Sequence, residues 1–404
     1  MSESAADVTT APKQPGKGVL GTLFLVVFID LVGFGMVIPL LPFYARQYEP
    51  SKWTFGLFMA TYSLCQFLFA PILGRLSDRV GRRPVMLVSL AGAAAGYALL
   101  GFAGTLPLLF LSRVIAGSAG GNISTAQAVI ADTTTPETRA KGMGIIGAAF
   151  GLGFILGPFF GGVLYGISPA FPGFAASVTS LVAFAMCWTL LPETRVVGVQ
   201  DRTRRAPFDV RALGHALGHP HLGLCLVMFF LTIFGFSNFE ATFAQLLNLR
   251  FELEPKNIGL IFAGIGVVAA VVQGGLIGRL QKAFGEARLV AAGMVIGGLA
   301  LGSLSYLPNL VSTGLVLMCL AFGTGIINPS LSSLTSSFAE PDEVGGVLGI
   351  YQGLGSLGRI LGPFVGEVVF GIDYHWPYRV ACIATLSAAA FAFTLLGRLR
   401  RVTG

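Results

Sequence analysis

Long apolar runs alternate with short polar stretches along almost the whole chain. The runs are about 20 residues long, which is the length that a helix needs to cross the ~30 Å hydrocarbon core of a bilayer. Twelve runs are counted, at 18–44, 54–74, 84–104, 107–130, 142–165, 174–191, 220–245, 257–279, 288–306, 310–336, 345–369 and 378–397. The pattern predicts an all-α membrane protein with about twelve transmembrane helices.

Composition narrows the class of protein further. Hydrophobic residues make up 54% of the chain and charged residues 11%, with a mean hydropathy of +0.78, unlike an ordinary soluble domain. No nucleotide-binding loop, catalytic triad or zinc signature is present, and the five cysteines and four histidines lack metal-site spacing. We therefore expect no enzymatic activity, no cofactor and no bound metal ion.

Basic residues are distributed unequally between the two sides of the predicted bundle. If the N-terminus is placed inside, 19 of the 26 Lys and Arg residues fall in inside loops and tails and five fall outside. Cytoplasmic loops carry such an excess of Lys and Arg. The bias predicts a multi-pass protein of the cell (inner) membrane with both termini cytoplasmic, and it explains the net charge of +7 without a nucleic-acid partner.

Three short stretches recur at a nearly constant offset. GRLSDRVGRR at 74 returns as GRLQKAFGEA at 278, GFILGPFFGG at 153 as GRILGPFVGE at 358, and GSAGGN at 117 as GTGIIN at 323. Transporters are often built from repeated halves. We expect two pseudo-symmetric six-helix bundles at 18–191 and 220–397, a disordered cytoplasmic tail at 1–17, a cytoplasmic linker at 192–219 and a cytoplasmic tail at 398–404.

Three motifs give the chain a family resemblance. It resembles the major facilitator superfamily and, within it, the twelve-helix drug/proton antiporters related to the tetracycline efflux proteins. The loop 2–3 motif of that superfamily is matched by Gly74, Leu76, Asp78, Arg79, Gly81, Arg82 and Arg83, and its helix-4 motif by Arg113 and Gly117. The helix-5 motif associated with antiporters is matched by Gly153, Gly157, Pro158, Gly161 and Gly162. The resemblance implies a transporter that alternates access to a central cavity lined by helices 1, 4, 7 and 10.

The charged loop between segments 2 and 3 is a candidate conformational latch. Gly74 and Gly81 would bound a short turn, and Asp78 would lie against the start of segment 11, where the helix dipole favours a carboxylate. Arg79 or Arg83 would pair with Asp132 at the end of segment 4. Alternatively, the arginines only anchor the loop at the membrane surface.

The glycines and the proline of the helix-5 motif also have a physical explanation. Gly153, Gly157 and Gly161 share one helical face and allow another helix backbone to approach closely. Pro158 removes one backbone hydrogen bond and permits a kink. The face is either a hinge that takes part in coupling or a site of tight packing.

Asp30 is the main candidate for proton coupling. It lies about twelve residues, or ~18 Å, into the first segment, near the membrane midplane. Charged groups at that depth are costly and are functional candidates by default. Arg113 is the nearest predicted counter-ion, although it lies closer to the outer end. Alternatively, Asp30 is a packing acid satisfied by hydrogen bonds.

Further polar residues fall on the four helices that would line the cavity. For any one amide, a contact between helices competes with a contact to substrate. These candidates are Asn122, Gln127, Asn238, Glu240 and Asn328.

Two departures from the tetracycline pattern concern acidic residues, and a third adds a cation. The acids expected within helices 3 and 9 are replaced by Gly96 and Gly297. Arg359 stands in segment 11, about fourteen residues or ~21 Å from its cytoplasmic end. Tetracycline export is therefore not expected. Arg359 either binds an anionic substrate group or has a structural partner, and both Glu367 and Glu240 are predicted near the outer end.

These observations favour a secondary active transporter that exports a small organic or drug-like molecule in exchange for protons. The alternatives are a symporter or facilitator for an organic anion or sugar on the same fold, and a membrane receptor or lipid-handling protein without transport. We expect the transporter to function in the bilayer as a monomer.

Overall fold

Twelve long helices build the part of the molecule that the structure describes. The computed structural model describes residues 17–134, 136–194, 210–339 and 344–403, and no strand occurs in these ranges. Most of the predicted N-terminal tail and residues 195–209 of the linker lie outside them. The helices are α1 (Lys17–Val37, continued by Ile38–Leu40 and Leu41–Arg46), α2 (Lys52–Val80), α3 (Arg82–Phe102), α4 (Leu106–Ser118 and Asn122–Thr133), α5 (Pro136–Tyr165), α6 (Phe171–Leu190), α7 (Leu222–Phe251), α8 (Pro255–Val271, Val272–Leu276 and Ile277–Phe284), α9 (Glu286–Ser303, continued by Leu304–Tyr306), α10 (Leu310–Ser337), α11 (Val344–Phe370) and α12 (Trp376–Thr403).

All twelve helices are long and apolar enough to cross a membrane, so the predicted all-α membrane fold is confirmed. Several run beyond the apolar cores from which they were predicted. α2 continues to Val80 and α8 to Phe284, and residues 398–403, predicted as a tail, extend α12. Backbone hydrogen bonding does not stop where hydropathy falls, so helices extend past the hydrocarbon into the polar region. A short helix, Val210–Gly218, lies in the predicted linker.

The fourth span is broken in the middle, which the sequence analysis did not predict. Its first segment ends at Ser118 and its second begins at Asn122. The intervening Ala-Gly-Gly forms a tight turn in which the Gly120 and Gly121 amides donate to the carbonyls of Gly117 and Ala119. An added Cβ at Gly121 would lie 2.4 Å from a Leu73 side-chain carbon, so only glycine fits there.

Glycine stripes join equivalent helices in the two halves. Gly153, Gly157 and Gly161 of α5 pack on the backbone of α1 between Leu31 and Met36. In the second half, Gly358, Gly362 and Gly366 of α11 pack on α7 between Ile233 and Asn238. The two stripes are separated by the same offset of 205 residues as the sequence repeat. The predicted internal duplication is therefore visible in the packing.

The two halves meet at one side of the bundle and diverge at the other. We call the side on which α1 begins and α12 ends the terminal side, and the opposite side the far side. Near the far side, a Cβ at Gly56 would lie 2.8 Å from the Phe364 carbonyl oxygen, and one at Gly259 only 2.2 Å from the Pro158 carbonyl oxygen. Toward the terminal side, Gly147 of α5 and Gly278 of α8 have no atom within 4 Å of an added Cβ. The structure is thus open toward the terminal side.

Candidate functional site

Asp30 is buried where three helices of the first half meet. Its side chain is 6% exposed. Ser180 Oγ of α6 donates to Asp30 Oδ1 at 2.8 Å, and Asn122 Nδ2 of α4 donates to Oδ2. Close approach of α1 and α6 depends on Gly33, where a Cβ would lie 2.3 Å from Thr179 Oγ1. Among the described residues the carboxyl therefore has two neutral hydrogen-bond donors and no cation in contact.

Arg113 does not pair with Asp30, contrary to the expected counter-ion role. Its Nε lies 3.4 Å from Ser112 Oγ, and its guanidinium lies 5.7 Å from the centre of the Tyr97 ring. Arg113 belongs to the segment of α4 before the break, whereas Asn122 begins the segment after it and reaches Asp30 instead. Tyr62 and Tyr97 each have both Asp30 and Arg113 as charged neighbours. The two phenols are thus electrostatic neighbours of both the buried acid and the buried cation.

Arg359 has electrostatic neighbours in both halves. Its Nη2 donates to Ser356 Oγ at 3.2 Å, and Tyr62 of α2 in the other half has Arg359 as a charged neighbour. Glu240 is its acidic electrostatic neighbour, but no carboxylate of the described residues lies within salt-bridge distance. Because α7 runs on to Phe251, Glu240 is eleven residues or ~16 Å from that end, deeper than the sequence predicted.

The remaining candidate amides differ in their surroundings. Asn238 is fully buried between α7 and α11, with Oδ1 2.8 Å from the position of a Cβ at Gly366. Neither of its side-chain polar atoms has a hydrogen-bond partner in the described part of the chain. In this structure α11 covers Asn238, so the expected place of Asn238 on the cavity wall is not observed here. Gln127 is half-buried and Asn328 is exposed, and the hydrogen-bond partners of Asp30 are Asn122 and Ser180 instead.

The charged loop differs from its prediction in two ways. Gly74 lies inside α2, and the connection to α3 is Gly81 alone, with a φ of +109°. Arg82, and not Arg79 or Arg83, pairs with Asp132, through Nε at 2.8 Å. The same guanidinium binds Asp78 at 2.7 Å and Ser77 Oγ at 2.7 Å. α2 extends about one and a half turns further than predicted. Because of this extension Arg82, and not Arg79 or Arg83, points inward. Arg82 is only 6% exposed.

The expected contact between Asp78 and the start of α11 stays a prediction, because the side chains of residues 341–345 lie outside the described part of the structure. Asp78 is half-exposed, with a relative side-chain exposure of 50%, and its salt-bridge partner among the described residues is Arg82. At the terminal end of α11, Gly349 has no atom within 4 Å of an added Cβ, as expected for halves that have separated there.

Glu193, which the sequence analysis did not single out, caps α3. Its two carboxylate oxygens accept from the backbone amides of Arg82 at 2.9 Å and Arg83 at 3.1 Å. A Cβ at Gly81 would lie 2.4 Å from this carboxylate, so glycine leaves room for the cap. Arg83 reaches α6 beside it, where it donates to the Trp188 carbonyl. An acid directly after an apolar run, as in LLPET, is the signal that was available.

The helix-5 motif has two packing faces. Gly157 lies on α1, with a Cβ position 2.7 Å from Gly35 Cα, whereas Gly162 faces α8 of the other half, 2.7 Å from the Pro255 carbonyl oxygen. α5 continues through Pro158 without interruption. The motif therefore joins α5 both to its own half and to the opposite half.

The two glycines that replace the expected acids have unequal space. At Gly96 a Cβ would lie 2.8 Å from the Ala116 amide nitrogen, so α3 and α4 leave no room for a carboxylate. At Gly297 the nearest atom, a methyl carbon of Leu320, is 4.0 Å away.

The described residues contain no cluster of three or more His, Cys, Asp or Glu side chains that could hold a metal ion.

Comparisons with known proteins agree on one family. The family model described as Major Facilitator Superfamily matches residues 23–363. The tetracycline resistance protein, class B, of Escherichia coli is 33% identical over 387 residues, which cover 92% of this chain and 95% of that protein. Major facilitator superfamily domain-containing protein 10 of Mus musculus is 30% identical over an alignment of 454 positions, which covers 98% of this chain and 97% of that protein.

Solved structures give the same fold. The crystal structure of the human organic anion transporter MFSD10 (TETRAN) is 26% identical with a TM-score of 0.73, and the match covers 94% of this chain and 100% of that one. A bacterial homologue of the human lysosomal transporter Spinster, in an inward-facing and unoccupied conformation, has a TM-score of 0.77 at 15% identity, with 93% and 96% covered. This second likeness concerns the fold alone.

Proposed function

The chain belongs to the Major Facilitator Superfamily, and from that premise we propose that it exports a small organic molecule in exchange for protons. Membership makes it a multi-pass membrane transporter of small molecules and not an enzyme. The resemblance seen in the sequence is thereby confirmed. What the proposal adds is the coupling ion, the direction and the class of substrate.

The observation that carries proton coupling is the environment of Asp30. The carboxyl is buried about 20 Å along α1 from Lys17, and its hydrogen-bond donors, Asn122 and Ser180, are neutral. A buried carboxylate without a cation in contact is costly, so the site favours a bound proton until water or a charge reaches it. A group that gains and loses a proton as access alternates can couple proton entry to substrate exit.

The proposed orientation places the terminal side in the cytoplasm. The excess of Lys and Arg in the loops of that side supports this assignment by the positive-inside rule. The structure then represents a state open to the cytoplasm of a transporter in the cell (inner) membrane. We propose that the single chain, surrounded by lipid, is the working unit.

Reconstituted transport tests the coupling. In inverted vesicles driven by a proton gradient, Asp30→Asn should abolish uptake of the probe that the unaltered protein accumulates, because the amide keeps the size but cannot release a proton. Exchange of labelled for unlabelled probe without a gradient should persist. Ser180→Ala is the matched control, since it removes one donor but leaves the carboxyl, and it should retain gradient-driven uptake. Normal accumulation by Asp30→Asn would refute the assignment.

A second substrate class, organic anions, is favoured by Arg359. Its guanidinium keeps its charge, has electrostatic neighbours in both halves and has no carboxylate in contact among the described residues. The solved relative MFSD10 is described as an organic anion transporter. We propose that the substrates include molecules with an anionic or strongly electronegative group, and fluorescein and ethidium are suitable anionic and cationic probes.

The charged loop is proposed as the latch of the alternate state. When the cytoplasmic side closes, the start of α11 would approach Asp78, and the carboxylate would interact with the positive end of that helix. In the open state Asp78 binds Arg82, which also holds Asp132. The latch would thus exchange one partner of Asp78 for another.

A further inference from the structure

Glu367, near the far end of α11, is a buried acid that the proposed function does not use. Its side chain is 2% exposed, and Gln245 Nε2 donates to its Oε1 at 2.6 Å. Its Oε2 has no hydrogen-bond partner among the described residues. A buried polar atom without a partner costs free energy, so a carboxylate held half-satisfied requires an explanation.

The acid is joined to the opposite half through one amide. Arg46, at the end of α1, donates from Nη2 to Gln245 Oε1 at 2.6 Å, and the Nε2 of the same Gln245 binds Glu367. Arg46 belongs to the first half, whereas Gln245 and Glu367 belong to the second. This chain of hydrogen bonds crosses the contact between the halves that closes the far side. Arg46 is thus hydrogen-bonded to the neutral amide and not to Glu367 itself, of which it is an electrostatic neighbour.

A recess beside Glu367 leads to the far surface. Its volume is about 420 Å³, and its wall includes exposed side chains. The charged groups that face it are Arg46 of α1, Glu49 of the α1–α2 loop and Lys52 of α2. Tyr378 of α12 is the titratable neighbour on the buried side. A proton leaving Glu367 would enter this recess without crossing the core.

We propose that Glu367 is a second proton-exchange residue, which holds a proton while the far mouth is closed and releases it when that mouth opens. In the closed state, ionisation would leave Oε2 charged and unpartnered, so the neutral acid fits the site better. Opening separates Arg46 from Gln245 and admits water. The O–H bond at Oε2 then breaks, the proton passes to water in the recess, and the carboxylate is solvated.

The internal repeat supports a proton-exchange role for Glu367 that is confined to the second half. The position of Glu367 in the repeat corresponds to Gly162, at the offset of 205 residues. A Cβ at Gly162 would lie 3.0 Å from Lys256 Cα, so the equivalent contact between α5 and α8 has no room for an acid. The α2–α11 contact thus carries a titratable group that its counterpart lacks.

The inference rests on the proposed proton coupling, but its test is independent of Asp30. The full-length chain carrying Asp30→Asn, with its five native cysteines replaced by serine, is placed in lipid nanodiscs. Spin labels at Gly104→Cys and Pro308→Cys report the distance across the far mouth. Both positions are exposed, and they lie in opposite halves.

The pH dependence of the far mouth is the readout. With Glu367 present, the population with the far mouth open should rise with pH, by at most about tenfold per pH unit for one proton. Glu367→Gln, which is always neutral, should remove this dependence and keep the mouth closed. Glu367→Asp should restore the dependence with a different midpoint. Glu49→Gln removes an exposed carboxyl at the same recess and should leave the dependence unchanged.

Two results would overturn the inference. One is an unchanged pH dependence in Glu367→Gln, and the other is a loss of dependence in Glu367→Asp, which would make the residue structural. Neither result depends on whether Asp30→Asn stops gradient-driven transport. Failure of proton coupling at Asp30 and failure of proton exchange at Glu367 are therefore separate outcomes.

Discussion

The role of Arg359 depends on which group binds its buried charge. The sequence placed it deep in the membrane and left open whether it binds substrate or is structural. The structure gives it Ser356 as a hydrogen-bond partner, Glu240 as an electrostatic neighbour beyond salt-bridge distance, and Tyr62 from the opposite half. A guanidinium so placed can receive an anionic group when substrate enters between the halves.

Conservative replacement should separate the charge of Arg359 from its geometry. Arg359→Lys keeps the charge but loses the bidentate fork, and we expect the affinity for fluorescein to fall severalfold relative to that for ethidium. Arg359→Gln should lower it further, by about tenfold, which corresponds to ~1.4 kcal/mol. Competition binding to the purified protein measures both ratios. Arg398→Gln, at the exposed end of α12, is the control and should leave the ratio unchanged. Equal ratios in all variants would make Arg359 structural.

Residues that act through distant partners were the hardest to foresee. Asp30 could be selected from sequence because one acid stands in a long apolar run. Its donors Asn122 and Ser180 come from α4 and α6, and their meeting depends on a break in α4 that hydropathy does not reveal. The chain from Arg46 to Glu367 joins three helices and was missed for the same reason.

At the scale of elements, the glycine stripes decide which helices come close. The spacing of Gly153, Gly157 and Gly161 predicted a close backbone approach, because every fourth residue lies on one helical face. The spacing did not predict that α1 would be the partner, because it describes the packing surface of α5 and not the surface of the helix that packs against it. Helix ends were predicted less well: α2 continues to Val80, which moved Arg82 into the place expected for Arg79 or Arg83.

An added methyl group should test the stripes in both halves. Gly157→Ala would place Cβ 2.7 Å from Gly35, and Gly362→Ala would place it 2.7 Å from the Phe234 carbonyl oxygen. Overpacking of this kind costs about 1–3 kcal/mol. We expect both variants to lower the melting temperature of the purified protein, measured by the loss of monodisperse protein on heating.

The same replacement in open space provides the control for the stripes. Gly151 lies on α5 with no atom within 4 Å of an added Cβ. Gly151→Ala should leave the melting temperature unchanged or raise it, because alanine favours the helix by up to ~1 kcal/mol over glycine. If Gly157→Ala were as stable as Gly151→Ala, the stripe would not limit the approach of α1 and α5.

For the whole molecule, the contacts between the halves define which side is open. They lie on the far side, where α2 meets α11 and α5 meets α8, and they are absent at the glycines described on the terminal side. The fold and its duplication could be predicted from apolar runs and repeated motifs. The open side could not, because both states of a transporter share one sequence and differ in free energy by a few kcal/mol.

Topology can be checked by labelling single cysteines. Lys282→Cys, in the last turn of α8, should react with an impermeant maleimide only from the cytoplasmic side, and Glu254→Cys, between α7 and α8, only from outside. Both side chains are exposed. Intact cells and inverted vesicles supply the two sides, and the five native cysteines are replaced beforehand. The reverse labelling pattern would invert the proposed orientation.

The latch makes a prediction about conformational populations. Asp78→Asn should favour the cytoplasm-open state severalfold, because a carboxylate at a helix N-terminus contributes roughly 0.3–1 kcal/mol, or up to ~2 kcal/mol when partly buried. Spin labels at Gly147→Cys and Gly278→Cys, in opposite halves of the mouth on the terminal side, measure the shift. Lys282→Gln changes the equivalent position of the repeat and should not alter it. Identical distance distributions for Asp78→Asn and the unaltered protein would count against the latch.

The asymmetry between the buried charges also has an electrical consequence. Asp30 has no acidic counterpart in the repeat, where Gly235 stands, so the proposed proton carrier belongs to the first half and the cation Arg359 to the second. One elementary charge that crosses the whole membrane field is worth ~2.3 kcal/mol per 100 mV. Exchange of one proton for a neutral molecule moves one charge per cycle, whereas exchange for a monoanion moves two, or ~4.6 kcal/mol per 100 mV. The voltage dependence of transport would therefore report the charge of the molecule bound beside Arg359.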